Sequence, residues 1–128
     1  MGQEYLIDSN ILIGYLDNKL PKNGTLFMHT VINNIPKISV ITKIEILIFN
    51  TTETAYKTLE DFINISVVQD LSNDIVDQTI QLCKSRKIKL PDAIIAATAI
   101  ANDMILITRN VSDFKAIQSL RIIDPFSL

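Results

Sequence analysis

The sequence predicts an α/β fold in which a central, mostly parallel sheet of four to five strands is covered by helices on both faces. Short apolar segments alternate with longer segments that have apolar residues at helical spacing. The short segments are apolar almost continuously, which is typical of strands buried on both sides. The chain has 128 residues, a length that suits one domain, and we expect residues 1–128 to form it.

In the first half of the chain, each of two predicted strands is followed by two predicted helices. The strands are residues 4–8 and 37–40, and the helices are 11–16, 25–34, 41–49 and 52–62. Ser9 and Asn10 are suited to cap the first helix. Residues 18–24 are predicted to be a loop because they contain proline, asparagine and glycine.

The second half is predicted to contain three strands and two helices. The strands are 65–68, 104–108 and 120–123, and the helices are 72–87, including its cap, and 91–101. Pro91 suits the first turn of the last helix. That helix is apolar nearly all round, so we expect it to be buried on both sides. Cys83 is expected to be a small core residue of the preceding helix.

The composition argues against several classes of function. No apolar segment approaches the roughly 18–20 residues that a membrane span requires, and the first residues lack the pattern of an export signal. Cys83 and His29 are the only cysteine and histidine, so we expect no internal disulfide, His-rich zinc site or Ser-His-Asp triad. The net charge of −2 does not favour nucleic-acid binding overall. We expect a cytoplasmic protein without a membrane segment.

Four carboxylates adjoin apolar segments, where burial would be unfavourable. Asp8 ends the first strand, and Glu45 interrupts an apolar helix. Asp92 opens the last long helix, and Asp113 follows the fourth strand. A carboxylate removed from water is strongly destabilising unless it is paired or bound to a cation. Few Lys or Arg residues are interleaved here, so a divalent metal ion is the simplest counter-charge.

The predicted topology brings these carboxylates to one edge of the sheet. Asp8 and the segment 108–113 follow strand ends, and Glu45 and Asp92 lie in early turns of helices that project toward the same edge. Ligands of such folds bind outside the carboxyl ends of the strands. Taken singly, Asp8, Asp92 and Asp113 could be ordinary helix-start residues, whereas Glu45 is not explained in that way.

A cluster of carboxylates without His or Cys suits Mg²⁺ or Mn²⁺, because these hard cations prefer oxygen ligands. Such an ion polarises a phosphoryl oxygen and lowers the pKa of a bound water. Without the ion the carboxylates repel one another, so the pKa of at least one should be raised. The cluster therefore indicates a metal-dependent phosphodiesterase.

A basic cluster precedes Asp92 and permits two compatible interpretations. It consists of Lys84, Arg86, Lys87 and Lys89. Cations are favoured at the carboxyl end of a helix, where water would simply solvate them. The same cations can contact phosphate groups beside the acidic site.

Four segments, in order along the chain, resemble the PIN-domain ribonucleases. They are YLIDSNILI at 5–13, SVITKIE at 39–45, LPDAIIAATA at 90–99 and LITRNVSDF at 106–114. Together they span nearly the whole chain, and its size is similar to that of the VapC-type toxins of prokaryotic toxin–antitoxin pairs. The resemblance implies a PIN-like three-layer α/β/α fold.

The resemblance also implies roles for the four carboxylates. Asp8, Glu45 and Asp92 would hold the metal ion, and Asp113 would complete the catalytic site. The fourth position in the family is either the residue after Thr-Arg, here Asn110, or an acid just beyond it, here Asp113. Neutral Asn110 would orient a ligand or a water, while Asp113 supplies charge at longer range.

Neighbouring polar and basic side chains receive supporting roles from the same resemblance. Asn10 and Thr108 would hold carboxylates by hydrogen bonds. Thr42 could do the same or cap the helix that contains Glu45. Arg109 and the basic cluster before Asp92 would contact the RNA backbone.

The function implied is a Mg²⁺- or Mn²⁺-dependent endoribonuclease that leaves a 5′-phosphate and a 3′-hydroxyl. It would be a homodimeric toxin that a cognate antitoxin restrains. Two alternatives remain. A non-catalytic PIN-like module would only bind a partner, although retention of Asp8, Glu45 and Asp92 counts against it. An aspartate-dependent phosphatase of the haloacid-dehalogenase type would need a second Asp where this chain has Asn10.

Overall fold

The computed structural model describes residues 3–128, and within that range it contains five strands and seven α-helices. The strands are β1 (Tyr5–Ile7), β2 (Lys37–Ser39), β3 (Val67–Gln69), β4 (Ile105–Ile107) and β5 (Ile122–Ile123). The helices are α1 (Ser9–Leu16), α2 (Lys22–Asn33), α3 (Val40–Leu47), α4 (Glu53–Ile65), α5 (Asn73–Ser85), α6 (Leu90–Ala101) and α7 (Val111–Phe114), and a 3₁₀ helix follows at Pro125–Ser127. None of the helices within residues 3–128 has the length and apolar character of a membrane-spanning segment.

All strand pairs that share ladder hydrogen bonds are parallel. β1, β4 and β5 form one ladder in that order, and β2 pairs with β3. Because β2 also lies beside β1, the spatial order is β3-β2-β1-β4-β5. The chain therefore builds outward from β1 to β3 and then crosses to the other side of β1. The gap between the carboxyl ends of β1 and β4 is the topological switch point, where ligands of such sheets bind.

Helices cover both faces of the sheet, as predicted. Leu6 and Leu106 are paired across β1 and β4, and both pack against α5, α6 and α7. The next pair, Ile7 and Ile107, faces the opposite layer, formed by α1 to α4. The side-chain alternation of a strand thus gives the sheet two apolar faces. Residues 93–99 of α6 are all buried, which confirms the prediction from its all-round apolar surface.

Three elements differ from the predictions. The predicted loop at 18–24 is too long, because α2 already begins at Lys22 and contains Gly24. Helix α4 extends to Ile65, so the third strand is Val67–Gln69 and not 65–68. The apolar face of α4 includes the buried residues Phe62 and Ile63, so the helix continues to Ile65, where the β-branched residues had indicated a strand. Helix α7 was not predicted, since four residues are too few for a helical pattern.

Cys83 is exposed, which corrects its predicted place in the core. Helix α5 buries Ile75, Thr79 and Leu82. These positions form the strip that α5 presents to α6. Cys83 follows Leu82 directly and is rotated about 100° away from this strip by helical geometry.

Gly24 lies in a helix, yet alanine is expected to destabilise the protein at this position. A Cβ atom on Gly24 would overlap the backbone carbonyl oxygen of Pro125, which cannot yield as a side chain does. We expect Gly24→Ala to lower the free energy of unfolding by about 1–3 kcal/mol, although alanine normally favours a helix over glycine by about 1 kcal/mol. Urea denaturation would measure this change.

The matched control is Gly14→Ala in α1. Its Cβ atom would meet only side-chain atoms, at 3.1 Å from Phe126 Cζ and 3.2 Å from Leu20 Cδ1. These side chains can shift by a few tenths of an ångström, so the loss should be smaller than for Gly24→Ala. Equal losses for the two variants would contradict this explanation of Gly24.

Candidate metal centre

Asp8 follows β1 directly and begins the site. Its backbone N–H donates to the carbonyl of Ile107 at 2.9 Å, which extends the pairing of β1 with β4 by one residue. Its Oδ1 accepts a hydrogen bond from the Ser9 N–H at 2.8 Å, so Asp8 itself is the N-cap of α1. This corrects the prediction that Ser9 and Asn10 cap the helix. The Asp8 residue is only 4 % exposed.

The second carboxylate oxygen of Asp8 is held by two side chains. Thr108 Oγ1 donates to Asp8 Oδ2 at 2.8 Å, and Asn10 Nδ2 donates to the same oxygen at 3.2 Å. Thr108 is fully buried at the end of β4, and its Oγ1 also accepts from the Asn110 N–H at 3.1 Å. The orientation of the Asp8 carboxylate is therefore fixed by contacts from α1 and from the end of β4.

Glu45, in the middle of α3, joins the site through Ser9. Ser9 Oγ donates to Glu45 Oε1 at 3.2 Å, while the backbone N–H of Ser9 donates to Asp8 Oδ1. Ser9 was predicted only as a cap of α1 and not as a residue of the site. Its position directly after a candidate ligand was the available signal, since a small hydroxyl residue there can contact a second carboxylate.

Thr42 has neither of its two predicted roles in this structure. Ser39 caps α3, because its Oγ accepts from the Ile41 N–H at 2.9 Å. The Thr42 hydroxyl is fully buried in the core and has no hydrogen-bond partner among residues 3–128. Thr79 and Thr98, by contrast, donate to carbonyl groups one turn earlier in their helices at 2.7 Å.

Asp92 and Asp113 complete the acidic edge. Asp92 lies half-buried in the first turn of α6, and Asp113 lies exposed in α7. Burial raises the pKa of Asp92, and the negative charges of Asp113 and Asp8 raise it further, whereas Lys89 lowers it. Asp92 and Asp113 also line the same cleft, which is consistent with these interactions.

The pKa values of Asp8 and Glu45 are also raised, chiefly by burial. Hydrogen bonds from Thr108, Ser9 and Asn10 oppose the increase in the pKa of Asp8. The pKa of Glu45 is raised by burial and by the charges of Asp8 and Asp92, and the Ser9 hydrogen bond lowers it. A raised pKa for at least one carboxylate was the expectation for crowded acids.

Among the residues that the structure describes, no basic side chain forms an ion pair with these four carboxylates, and Lys89 lowers the pKa of Asp92 without such a contact. The ion pairs lie elsewhere: Lys19–Asp17, Lys37–Glu4, Lys57–Asp61 and Arg121–Asp103. An all-oxygen, negatively charged edge fits a hard divalent cation. Within residues 3–128, no three Asp, Glu, His or Cys side chains form a ready-made metal cage. Mg²⁺ does not require one, since it usually retains several waters.

The basic residues separate into two groups. Lys87 and Lys89 line a cleft of about 540 Å³ together with Asp92 and Asp113. Arg86 reaches this cleft, but its Nη1 donates to the Ala116 carbonyl at 3.0 Å, so the side chain anchors the loop after α7. This contact occupies Nη1 only, and the RNA contact predicted for Arg86 stays a prediction.

Two further predicted residues lie beside the site without entering the cleft. Lys84 is exposed near the end of α5 and is not among the residues that line the cleft. The backbone N–H of Arg109 donates to Asn10 Oδ1 at 3.2 Å, which places Arg109 beside the Asp8 network. Asn110 participates through its backbone, and its side chain makes no capping hydrogen bond.

An acidic edge at the switch point of a parallel sheet between two helical layers defines a PIN-like α/β protein. The profile of the family described as PIN domain matches residues 5–120. The chain therefore belongs to the PIN domain family, which confirms the resemblance found in the sequence. A search of curated proteins gave no match.

Solved structures share this fold over nearly their full length. A chain of a toxin–antitoxin complex from Klebsiella pneumoniae is 29% identical with a TM-score of 0.77, and the match covers 95% of this chain and 98% of that one. A chain of DNA-bound VapBC from Salmonella typhimurium is 23% identical with a TM-score of 0.79, over 97% and 99% of the two chains. For VapBC-1 from nontypeable Haemophilus influenzae the values are 24%, 0.77, 96% and 98%.

The raised pKa values predict how the stability of the metal-free protein depends on pH. Between about pH 4, near the pKa values of unfolded Asp and Glu, and the higher folded-state values, the folded protein binds more protons than the unfolded chain. The free energy of unfolding should therefore fall as the pH rises through this range.

Asp92→Asn removes one repelling charge and, within the described residues, no hydrogen bond. In chelator at neutral pH, we expect its free energy of unfolding to equal or exceed that of the wild type.

Asp74→Asn is the matched control, because Asp74 also lies in a first turn, that of α5. It is exposed and lies outside the acidic edge, with Asp77 as an exposed acidic neighbour in the same helix, so its substitution should lose mainly the favourable helix-dipole interaction. Urea denaturation of both variants at neutral pH and at about pH 4 would make the comparison. A sharp loss of stability in Asp92→Asn alone would show that Asp92 is a structural residue.

Proposed function

We propose that this chain is a Mg²⁺- or Mn²⁺-dependent endoribonuclease, formed by one domain over residues 1–128, and that it acts in the cytoplasm as the toxin of a toxin–antitoxin pair. The single observation that supports this most is the buried carboxylate of Asp8 at the switch point of a PIN fold. It shares an acidic edge with Glu45, Asp92 and Asp113, and no basic side chain of the described residues forms an ion pair with any of them.

The proposed roles of the carboxylates follow from their surroundings. Asp8, Glu45 and Asp92 would hold the ion, whose chemistry at such a site is Lewis-acid activation of the phosphoryl group and of water. Asp113 is the better candidate for the fourth acidic residue, because its charge acts on Asp92. The Asn110 side chain is neutral and makes no capping hydrogen bond to α7, so it is free to orient a water or a phosphate oxygen.

Hydrogen bonds from neighbouring residues suit Asp8 to hold a cation. Burial favours the protonated form, whereas the three hydrogen bonds from Ser9, Asn10 and Thr108 favour the charged form. Those donors also fix which lone pairs remain available. Hydrolysis at this edge would leave a 5′-phosphate and a 3′-hydroxyl, in line with the family resemblance.

A phosphatase with Asp8 as nucleophile is disfavoured by Asn10. The Asn10 amide donates to Asp8 Oδ2, where that mechanism would need a second acid. A module that only binds a partner would not need the uncompensated acidic edge, which is unfavourable for folding.

Protein partners are proposed from the neighbours and from the surface. The similar structures include VapBC and other toxin–antitoxin complexes, which supports a cognate antitoxin for this chain. Ile44 precedes Glu45 in α3 and is 50% exposed, and Ile48, directly after the helix, is 76% exposed. Large exposed apolar side chains beside a site are typical of surfaces that a protein covers. An antitoxin segment or the second subunit of a homodimer could bury them.

Metal-dependent cleavage of RNA is the direct test of the proposed function. Purified protein should cut a labelled single-stranded RNA in Mn²⁺ or Mg²⁺ and not in chelator. Asp8→Asn should lower the rate by roughly a hundred-fold or more, while Asp61→Asn, which breaks an exposed ion pair with Lys57, should cleave like the wild type. Cleavage that survives Asp8→Asn would disprove the site. A wild type that binds RNA but never cuts it would favour the binding module.

The cleft predicts which lysines bind RNA. Lys87→Ala combined with Lys89→Ala should weaken RNA binding and lower the salt slope by about 1.4, since each phosphate contact on a single strand contributes about 0.7. Fluorescence anisotropy over a series of salt concentrations would measure the slope.

Two controls separate specific contacts from a general charge effect. Lys19→Ala combined with Lys57→Ala removes the same charge far from the cleft and should leave the slope unchanged. Lys84→Ala alone tests the one lysine of the predicted RNA-binding cluster that does not line the cleft. Equal slopes in all variants would show that Lys87 and Lys89 only solubilise the surface.

A further inference from the structure

The Arg109 side chain is exposed and yet fixed in place. Its guanidinium carbon lies 4.2 Å from the centroid of the Phe126 ring, in cation–π geometry. Its backbone N–H donates to Asn10 Oδ1, so the residue is held at both ends. An arginine that served only to keep the surface soluble would need neither contact.

The ring beneath Arg109 is itself held firmly. Asp124 Oδ1 accepts from the Phe126 N–H at 2.9 Å, and Asp124 Oδ2 accepts from Ser127 Oγ at 3.1 Å. The ring packs on α1 beside Gly14, and the preceding Pro125 packs on α2 at Gly24. Both glycines leave room for this segment, residues 124–127, at the edge of the sheet where the acidic site lies.

Arg109 is the one arginine of the three without a polar partner for its side chain among residues 3–128. Arg86 donates to the Ala116 carbonyl, and Arg121 pairs with Asp103 and Gln3. The guanidinium of Arg109 makes no ion pair and no hydrogen bond within the described residues, and its planar fork of donors matches a phosphate group.

We propose that Phe126 is a positioning residue that holds the guanidinium of Arg109 beside the acidic edge, where it binds a phosphate group of the RNA strand. This proposal rests on the proposed ribonuclease function. A long exposed side chain loses conformational entropy when a ligand immobilises it. Stacking on Phe126 removes part of that cost in advance, so the ring acts on binding through Arg109 without touching RNA.

A double-mutant cycle tests whether Phe126 acts through Arg109. The variants are Phe126→Leu, which keeps an apolar side chain but removes the ring face, Arg109→Ala, and the two together. Phe126→Tyr is unsuitable, because Phe126 Cζ already lies near α1 at Gly14 and a hydroxyl there would collide. The Kd for a fluorescein-labelled single-stranded RNA of mixed sequence is measured in chelator, and KM and kcat are measured in Mn²⁺.

Arg109→Ala should raise the Kd roughly ten-fold, and Phe126→Leu should raise it about three-fold, with KM affected more than kcat. In the Arg109→Ala background, Phe126→Leu should have no further effect. Effects that multiply in the double variant would overturn the proposal, since Phe126 would then influence binding independently of Arg109.

Two controls complete the experiment. Phe27→Leu removes another half-buried ring, which meets Tyr5 edge to face and has no cation–π contact with an arginine among residues 3–128, and it should leave the Kd unchanged. Arg121→Ala removes one positive charge before β5, at the opposite edge of the sheet, and should also leave it unchanged. If the wild type cleaves RNA and Phe126→Leu binds as the wild type does, the positioning role alone is disproved. If the wild type neither binds nor cleaves RNA, the ribonuclease proposal fails as well.

Discussion

The burial of the Asp8 carboxylate between the ends of β1 and β4 is the interaction on which the rest of the site depends. A charge that is almost inaccessible to water is unfavourable unless it is hydrogen-bonded and compensated. The chain provides the hydrogen bonds through Ser9, Asn10 and Thr108. It provides no compensating side-chain cation among the described residues and instead brings further acids close. The fold thus retains an electrostatic cost that a divalent ion would relieve.

Apolar packing holds the neighbouring elements in place despite this cost. Helix α3 brings Glu45 to Ser9, and the first turn of α6 brings Asp92 to the same edge. Residues 93–99 of α6 are all buried, so the position of Asp92 is fixed by the core and not by its own contacts. Apolar packing, which favours burial over a large area, therefore opposes the repulsion between a few charges.

The sequence predicted the elements whose patterns are local. The apolar strands and the all-round apolar surface of α6 gave the layers correctly, and strand polarity placed Asp8, Glu45, Asp92 and Asp113 at one edge. What could not be predicted depends on contacts between distant segments. Gly24 was predicted to lie in a loop. It lies in α2 instead, where the absence of a side chain makes room for Pro125. Nothing in the sequence distinguishes Arg86 from its basic neighbours, yet its side chain donates to a carbonyl 30 residues away.

Phe126 illustrates the same limit at the site itself. Nothing in its local sequence marks it as functional, because Asp-Pro-Phe-Ser is ordinary turn chemistry. Its relation to the site arises only when β5 aligns beside β4, which brings residue 124 to the edge where Thr108 and Arg109 lie. The residues that follow parallel neighbouring strands lie at the same edge of a sheet, so the segment after β5 lies at the same edge as the segment after β4, one strand further from Asp8. In this fold, the residues that follow any of the three adjacent strands β1, β4 and β5 are therefore candidates for contact with the ligand of the edge, whatever their distance from Asp8 along the chain.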